Sequence, residues 1–194
     1  MLKKVSIIFS CMIDGGISYD GDVLWEHPTI AYKFDSITCK CNERGKMNAL
    51  IMGRKTWETI QEPIPGRINI IVTTDHRYED LCHAYENVVV CSSIIAALAY
   101  CNSNSIINDI FVIGGAGIID TFLQTKIYFN IIDKVYLTIL FHNHEYVADT
   151  FVDINALFQR LTWAKDDVYK TYADKRLFAS YICTPRIDTC FKMI

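Results

Sequence analysis

The 194-residue chain has no run of about 18 uninterrupted apolar residues, so it offers no segment that reads as a membrane-spanning helix. Its start, Met1-Leu2-Lys3-Lys4-Val5, lacks the long apolar stretch and small-residue cleavage site of a secretory signal. A soluble, cytoplasmic protein is expected. It also lacks an excess of one charge: the net value is -3, and acids and bases are scattered, which leaves no basic stripe for a phosphate backbone or an anionic membrane. Neither nucleic acid nor membrane is an expected partner, and a monomeric single domain over residues 1–194 is. None of the eight cysteines forms a C-x-x-C pair, the nearest approach being Cys39-Lys40-Cys41. They read as reduced, structural thiols rather than metal ligands. His142 and His144 stand close together in a polar stretch that reads as a solvated loop, and no metal site is expected. Internal repeats, low-complexity tracts and linkers are missing too.

What is present is a series of short apolar runs, rich in β-branched residues and bounded by turn residues. Val5 to Met12, Asn48 to Gly53, Ile68 to Thr74, Val88 to Cys91 and Ile110 to Ile113 read as strands. Lys134 to Leu140, Trp163 to Thr171 and Leu177 to Cys183 read the same way. Pro28 can occupy the first turn of a helix reaching from about Thr29 to Lys40, with Ile30, Phe34 and Ile37 at helical spacing. Ser92 or Ser93 can cap a second helix running to about Cys101, and Ile118 to Leu123 makes a third. Strand and helix alternate up to Leu140, and strands dominate afterwards. That order describes an α/β protein: a mostly parallel sheet with an antiparallel C-terminal edge, flanked by helices.

Three segments carry recognisable chemistry. In Ile51-Met52-Gly53-Arg54-Lys55-Thr56-Trp57 an apolar strand runs into glycine, two cations and a hydroxyl, which suits an anion but also fits a solvated basic turn. Val112-Ile113-Gly114-Gly115-Ala116-Gly117-Ile118 is again strand, glycines, helix. It can cradle a pyrophosphate or simply turn tightly, and the G-x-G-x-x-G fingerprint is absent. Pro63-Ile64-Pro65-Gly66-Arg67 stiffens a turn before an arginine whose planar fork matches a carboxylate.

In their order and spacing these three pieces resemble the dihydrofolate reductase family, over roughly Val5 to Cys183, and Asp149-Thr150-Phe151 resembles that family's late strand motif. The resemblance implies NADPH as cofactor and a folate as substrate, with reduction of 7,8-dihydrofolate to tetrahydrofolate in support of one-carbon metabolism and thymidylate synthesis. It implies that Arg54 and Lys55, with Thr73 or Thr74, meet the cofactor's 2′-phosphate. Gly53, Thr56 and the turn of Gly114, Gly115, Ala116, Gly117 and Ile118 would hold the pyrophosphate, the Gly114-Gly115 bond being cis, with Ser10 and Ile17 also toward the cofactor. Ile8, Phe9, Ser10, Ile30, Phe34, Ile60, Ile64 and Ile113 would line the pterin and benzoyl pocket, although Phe34 and Ile60 read equally well as ordinary core. Arg67 would clamp the glutamate carboxylate of folate, and Trp25 and Thr138 would belong to a polar network beside the pterin.

The family pattern breaks at four positions. Reduction of a C=N bond needs a proton as well as a hydride, and the family's buried carboxylate falls on Ile30, which can neither donate nor accept one. Leu24, Ser18 and Ile119 also stand where the family has proline, glycine and tyrosine, and all four are expected around the reacting centre. Three readings follow: a reductase in which Glu26, Asp22 or an ordered water supplies the proton; a catalytically impaired protein that binds NADPH and folate; or an NADPH reductase of another small heterocycle.

Overall fold

The computed structural model describes residues 3–25, 27–41, 43–141, 146–170 (for 168–170 the backbone only) and 177–186. Glu26, His142, His144 and the segment from 187 onward lie outside the described residues. The elements run β1 (Val5–Met12), β2 (Gly16–Tyr19), β3 (Asp22–Val23), α1 (Pro28–Thr38), β4 (Met47–Gly53), α2 (Arg54–Ile60), β5 (Arg67–Val72), α3 (Leu81–Ala84), β6 (Val88–Cys91), α4 (Ile94–Ser103), β7 (Ile107–Gly114), α5 (Ala116–Gln124), α6 (Lys126–Phe129), β8 (Ile132–Leu140), β9 (Thr150–Phe151), α7 (Ile154–Arg160), β10 (Leu161–Lys170) and β11 (Leu177–Pro185).

Eight strands form one sheet in the order β10-β11-β8-β1-β7-β4-β5-β6. From β8 to β6 every neighbour pair is parallel, while β11 joins β8 and β10 joins β11 antiparallel. This is the architecture expected from the alternation of patterns. The central strand β4 shows why: Ala49, Leu50, Ile51 and Met52 are all fully buried, as a parallel strand covered on both faces requires. Ala49 and Ile51 join the larger apolar cluster with Ile7, Val112, Val135 and Phe122. Leu50 and Met52 join the other, with Ile8, Trp57, Ile71 and Phe111, against which Phe34 and Ile37 of α1 pack. Among the described residues, no helix is long and apolar enough to cross a membrane.

Two boundaries differ from the sequence expectation for definable reasons. The helix opened by Pro28, with His27 Nδ1 accepting from Thr29 N at 3.2 Å, ends at Thr38 rather than Lys40. Buried Asn48 donates through Nδ2 to the carbonyls of Thr38 (2.8 Å) and Lys40 (2.9 Å), satisfying acceptors at and just beyond the helix end that have no intrahelical donor. After Leu140 the chain is not strand alone: Asp153 Oδ1 accepts from Ala156 N at 3.0 Å and starts α7, whose seven residues are too few to display a helical period.

Candidate functional site

A cavity of about 60 Å³ lies where α1 covers the sheet at β1, β8 and β11. Its strand walls follow from register. Ser10 pairs with Thr138, and Thr138 with Ser180, so three hydroxyl side chains stand in a row on one face of three adjacent strands. Ile8 and Tyr136 stand in the next row of that face. Helix α1 contributes Ile30, Lys33, Phe34 and Ile37, and Phe9 completes the inner wall. The cavity thus brings together Ile8, Phe9, Ser10, Ile30, Phe34 and Thr138 from the sequence expectation.

Lys33, Asp166 and Ser180 are lining residues that sequence reasoning did not single out. Lys33 and Asp166 form an ion pair, Lys33 Nζ donates to Ser180 Oγ at 2.7 Å, and Ser180 Oγ donates to Asp166 Oδ2 at 3.2 Å. Asp166 reaches this position because the β10–β11 register shifts between Lys165 and Asp167, a bulge that re-aims the inserted side chain. Tyr136, which lines the same wall, has its phenol pushed upward mainly by burial, helped by Asp133, Asp109 and Asp166. Its hydroxyl therefore stays protonated at neutral pH.

The surroundings of Ile30 are apolar. It packs with Leu24 and Trp25 on a cluster of Met12, Leu140 and Phe178. The Trp25 ring sits 5.9 Å from Tyr146 and 6.0 Å from Phe178, in an aromatic cluster. Ile119 is 1 % exposed, lies in the larger cluster with Phe122 and Leu123, and is not among the residues lining this cavity. The apolar face of α5 must bury against the sheet, and residue 119 is on that face. Ser18 lies on the small three-stranded sheet, opposite Val23 and near Thr150, and Asp22 is exposed there. Ile17 packs against the larger cluster, whereas Ile60, Ile64 and Ile113 pack with Phe34 against the smaller one.

The two glycine turns meet. A Cβ built on Gly114 or on Gly115 would lie 3.3 Å from Thr56 Oγ1, and one on Gly53 3.3 Å from Ile118 Cδ1. Gly114 has φ of +136°, a conformation that disfavours side chains, and the Gly114-Gly115 peptide is cis. Helix α5 begins directly after, so the N–H groups of Ala116 and Gly117, like those of any first helical turn, lack intrahelical acceptors. Nearby, Thr73, Thr74, Asp75, His76, Glu79, Val90 and Ser92 line a depression of about 210 Å³. Arg77 holds the Asp75 carboxyl down at about 2 through side-chain and backbone hydrogen bonds. Arg54 donates to Glu58 Oε1 at 2.7 Å, and Tyr78 donates to the same oxygen, which lowers the Glu58 carboxyl.

Arg67 begins β5 and is 3 % exposed. Its Nε donates to Pro65 O at 2.9 Å, and its Nη1 donates to Thr38 Oγ1 and Asp35 Oδ1, both at 2.8 Å. The Phe34 ring centroid is 5.9 Å from the guanidinium carbon. The preceding loop is held by buried Asn69, which accepts from Ile64 N at 3.1 Å and donates to Ile64 O at 3.0 Å.

Residues 4–182 match the family model described as dihydrofolate reductase. The chain is 33% identical over 174 residues to the dihydrofolate reductase of Aedes albopictus, covering 86% of this chain and 88% of that protein. It is 40% identical over 122 residues to the bifunctional dihydrofolate reductase-thymidylate synthase of Glycine max, covering 60% of this chain and 23% of that protein. The corresponding protein of Zea mays is 38% identical over 131 residues, with 63% and 24% covered. The chain therefore spans about a quarter of the length of these bifunctional relatives.

Proposed function

Because the chain belongs to the dihydrofolate reductase family, we propose that it is a monomeric, cytoplasmic, NADPH-dependent dihydrofolate reductase of a single domain. It reduces 7,8-dihydrofolate to tetrahydrofolate and so supports one-carbon metabolism and thymidylate synthesis. The observation that carries this reading is the convergence of the Gly53–Thr56 and Gly114–Gly115 turns, in a fold that also holds a cavity lined by Ile30, Lys33 and Phe34 from α1 and by a row of hydroxyls from the sheet.

The residues present fit NADPH. The glycines let the two turns close on the Thr56 hydroxyl, and the first N–H groups of α5 suit a pyrophosphate. Arg54, with Lys55 and the hydroxyls of Thr73 and Thr74, would receive the 2′-phosphate; Arg54 must loosen its bond to Glu58 to do so. Bound there, the cofactor supplies a hydride. Ile8, Phe9, Ile30 and Phe34 would pack against the faces of a flat heterocycle, and Ser10 and Thr138 would orient its polar edge. Arg67 meets the outer end of the substrate in competition with Asp35.

The chain must also deliver a proton. With Ile30 apolar, water held by the Thr138 and Ser180 hydroxyls beside the Lys33–Asp166 ion pair would carry that proton. General-acid assistance is worth about 10²–10⁴-fold, so a water-borne proton gives slow but real turnover. Purified protein with dihydrofolate should consume NADPH and form tetrahydrofolate in equal amounts. Tight binding of both ligands without product would favour the second reading, a non-catalytic NADPH- and folate-binding protein, which the apolar packing around Ile30 supports.

A further inference from the structure

We propose that Asp35 is a specificity-determining residue: it occupies the carboxylate-binding side of Arg67, so the chain accepts pterins with little discrimination in favour of an acidic tail. This rests on the folate reading of the cavity.

The argument is a count of donors. A guanidinium has five N–H groups, one on Nε and two on each terminal nitrogen. The Nε hydrogen is taken by Pro65 O, and both Nη1 hydrogens by Asp35 Oδ1 and Thr38 Oγ1. Thr38 is committed in that direction, because its own hydroxyl hydrogen goes to Phe34 O at 2.8 Å. A carboxylate is gripped best by two parallel N–H bonds from adjacent nitrogens, and either such pair includes Nε or Nη1. Each such pair is therefore already engaged at one of its two nitrogens.

Burial explains why Asp35 stays. The Arg67 side chain is 4 % exposed and that of Asp35 is 60 % exposed, so the cation is inside and its anion stands at the surface above it. A buried guanidinium stripped of its carboxylate is strongly disfavoured. An incoming tail carboxylate must therefore displace Asp35, exchanging one carboxylate for another, or bind beside it against like-charge repulsion. In both cases the net gain from an acidic tail is small. Ligands recognised through the pterin and an uncharged substituent lose nothing by comparison.

Calorimetry on the cofactor-free protein tests this, with two probes: folate, and folate with both tail carboxylates converted to amides. In the wild type the two should bind within about threefold of one another. Asp35→Ala, at an exposed position, should tighten folate by about tenfold and leave the diamide unchanged, because a charge-assisted pair is released for the ligand. Asp35→Asn should give the same direction and guards against a local change in α1. A wild type that already prefers folate by more than tenfold overturns the proposal, as does a ratio that neither variant moves. If neither probe binds, the folate reading itself fails and this proposal with it, an outcome distinct from unaltered selectivity.

Discussion

Restoring a carboxylate at position 30 is the sharpest perturbation the cavity allows. Ile30 is half-buried against Met12, Leu140 and Phe178, with Trp25 and Leu24 alongside. Full burial of such a side chain is worth about 1.5–3 kcal/mol, so Ile30→Asp forfeits about 1 kcal/mol of apolar contact at half burial. Setting a carboxyl among apolar neighbours adds about 1–3 kcal/mol, reduced where Thr138 across the cavity gives it a partner. The variant should therefore be about 2–4 kcal/mol less stable, a loss of roughly 4–16 °C in Tm for a chain of this size. Desolvation pushes the new carboxyl upward, leaving a fraction protonated near neutrality. NADPH oxidation with dihydrofolate should rise by about 10²–10⁴-fold, more strongly as pH falls toward that carboxyl's range. Thermal melting and the oxidation rate are measured on the same preparation. A folded variant that binds both ligands yet turns over no faster than wild type would refute the claim that position 30 limits the chemistry.

Arg54→Ala should weaken NADPH by at least about tenfold and leave NADH almost unchanged, since only NADPH carries the extra phosphate; equal losses in calorimetry would remove Arg54 from that role. Glu58→Gln, by releasing Arg54, should tighten NADPH by no more than about fivefold, the worth of an exposed ion pair. Lys33→Met and Asp166→Asn should lower turnover and displace its pH profile while the KM for dihydrofolate holds; a change in Tm alone, with the pH profile intact, would reduce the pair to a structural tie. Burial pushes the thiols of Cys11, Cys101 and Cys183 up to about 12, so at pH 8 they stay protonated as well as covered. Alkylation mapped by mass spectrometry should mark the exposed Cys39 and Cys82 first and these three only after unfolding, and early labelling of Cys11 would contradict the packing.

The parts of the fold visible in the sequence were those written as contiguous pattern. The buried run of β4, the proline that opens α1, and the glycine turns after β4 and β7 need only neighbouring residues to declare themselves. The cavity was only half visible for the same reason. Lys33 and Asp166 are 133 positions apart and meet because a bulge turns one strand residue toward a helix, which no local pattern encodes. The state of Arg67 was hidden too: its motif is local, but its partners Asp35 and Thr38 arrive from a helix 32 and 29 positions earlier. The burial of Ile119 was not legible either, because colinearity with a family motif says which residue occupies a position, not which way the face of α5 turns.

A crystal structure with NADPH and folate bound tests the central claim most directly. The account predicts the 2′-phosphate at Arg54 and Thr73–Thr74, the pyrophosphate at Thr56 and Gly114–Gly117, and the pterin over Ile8, Ser10, Ile30 and Thr138 with water reaching Ser180 and Lys33. A pterin bound away from that cavity, or a cofactor that bypasses the two glycine turns, would contradict it.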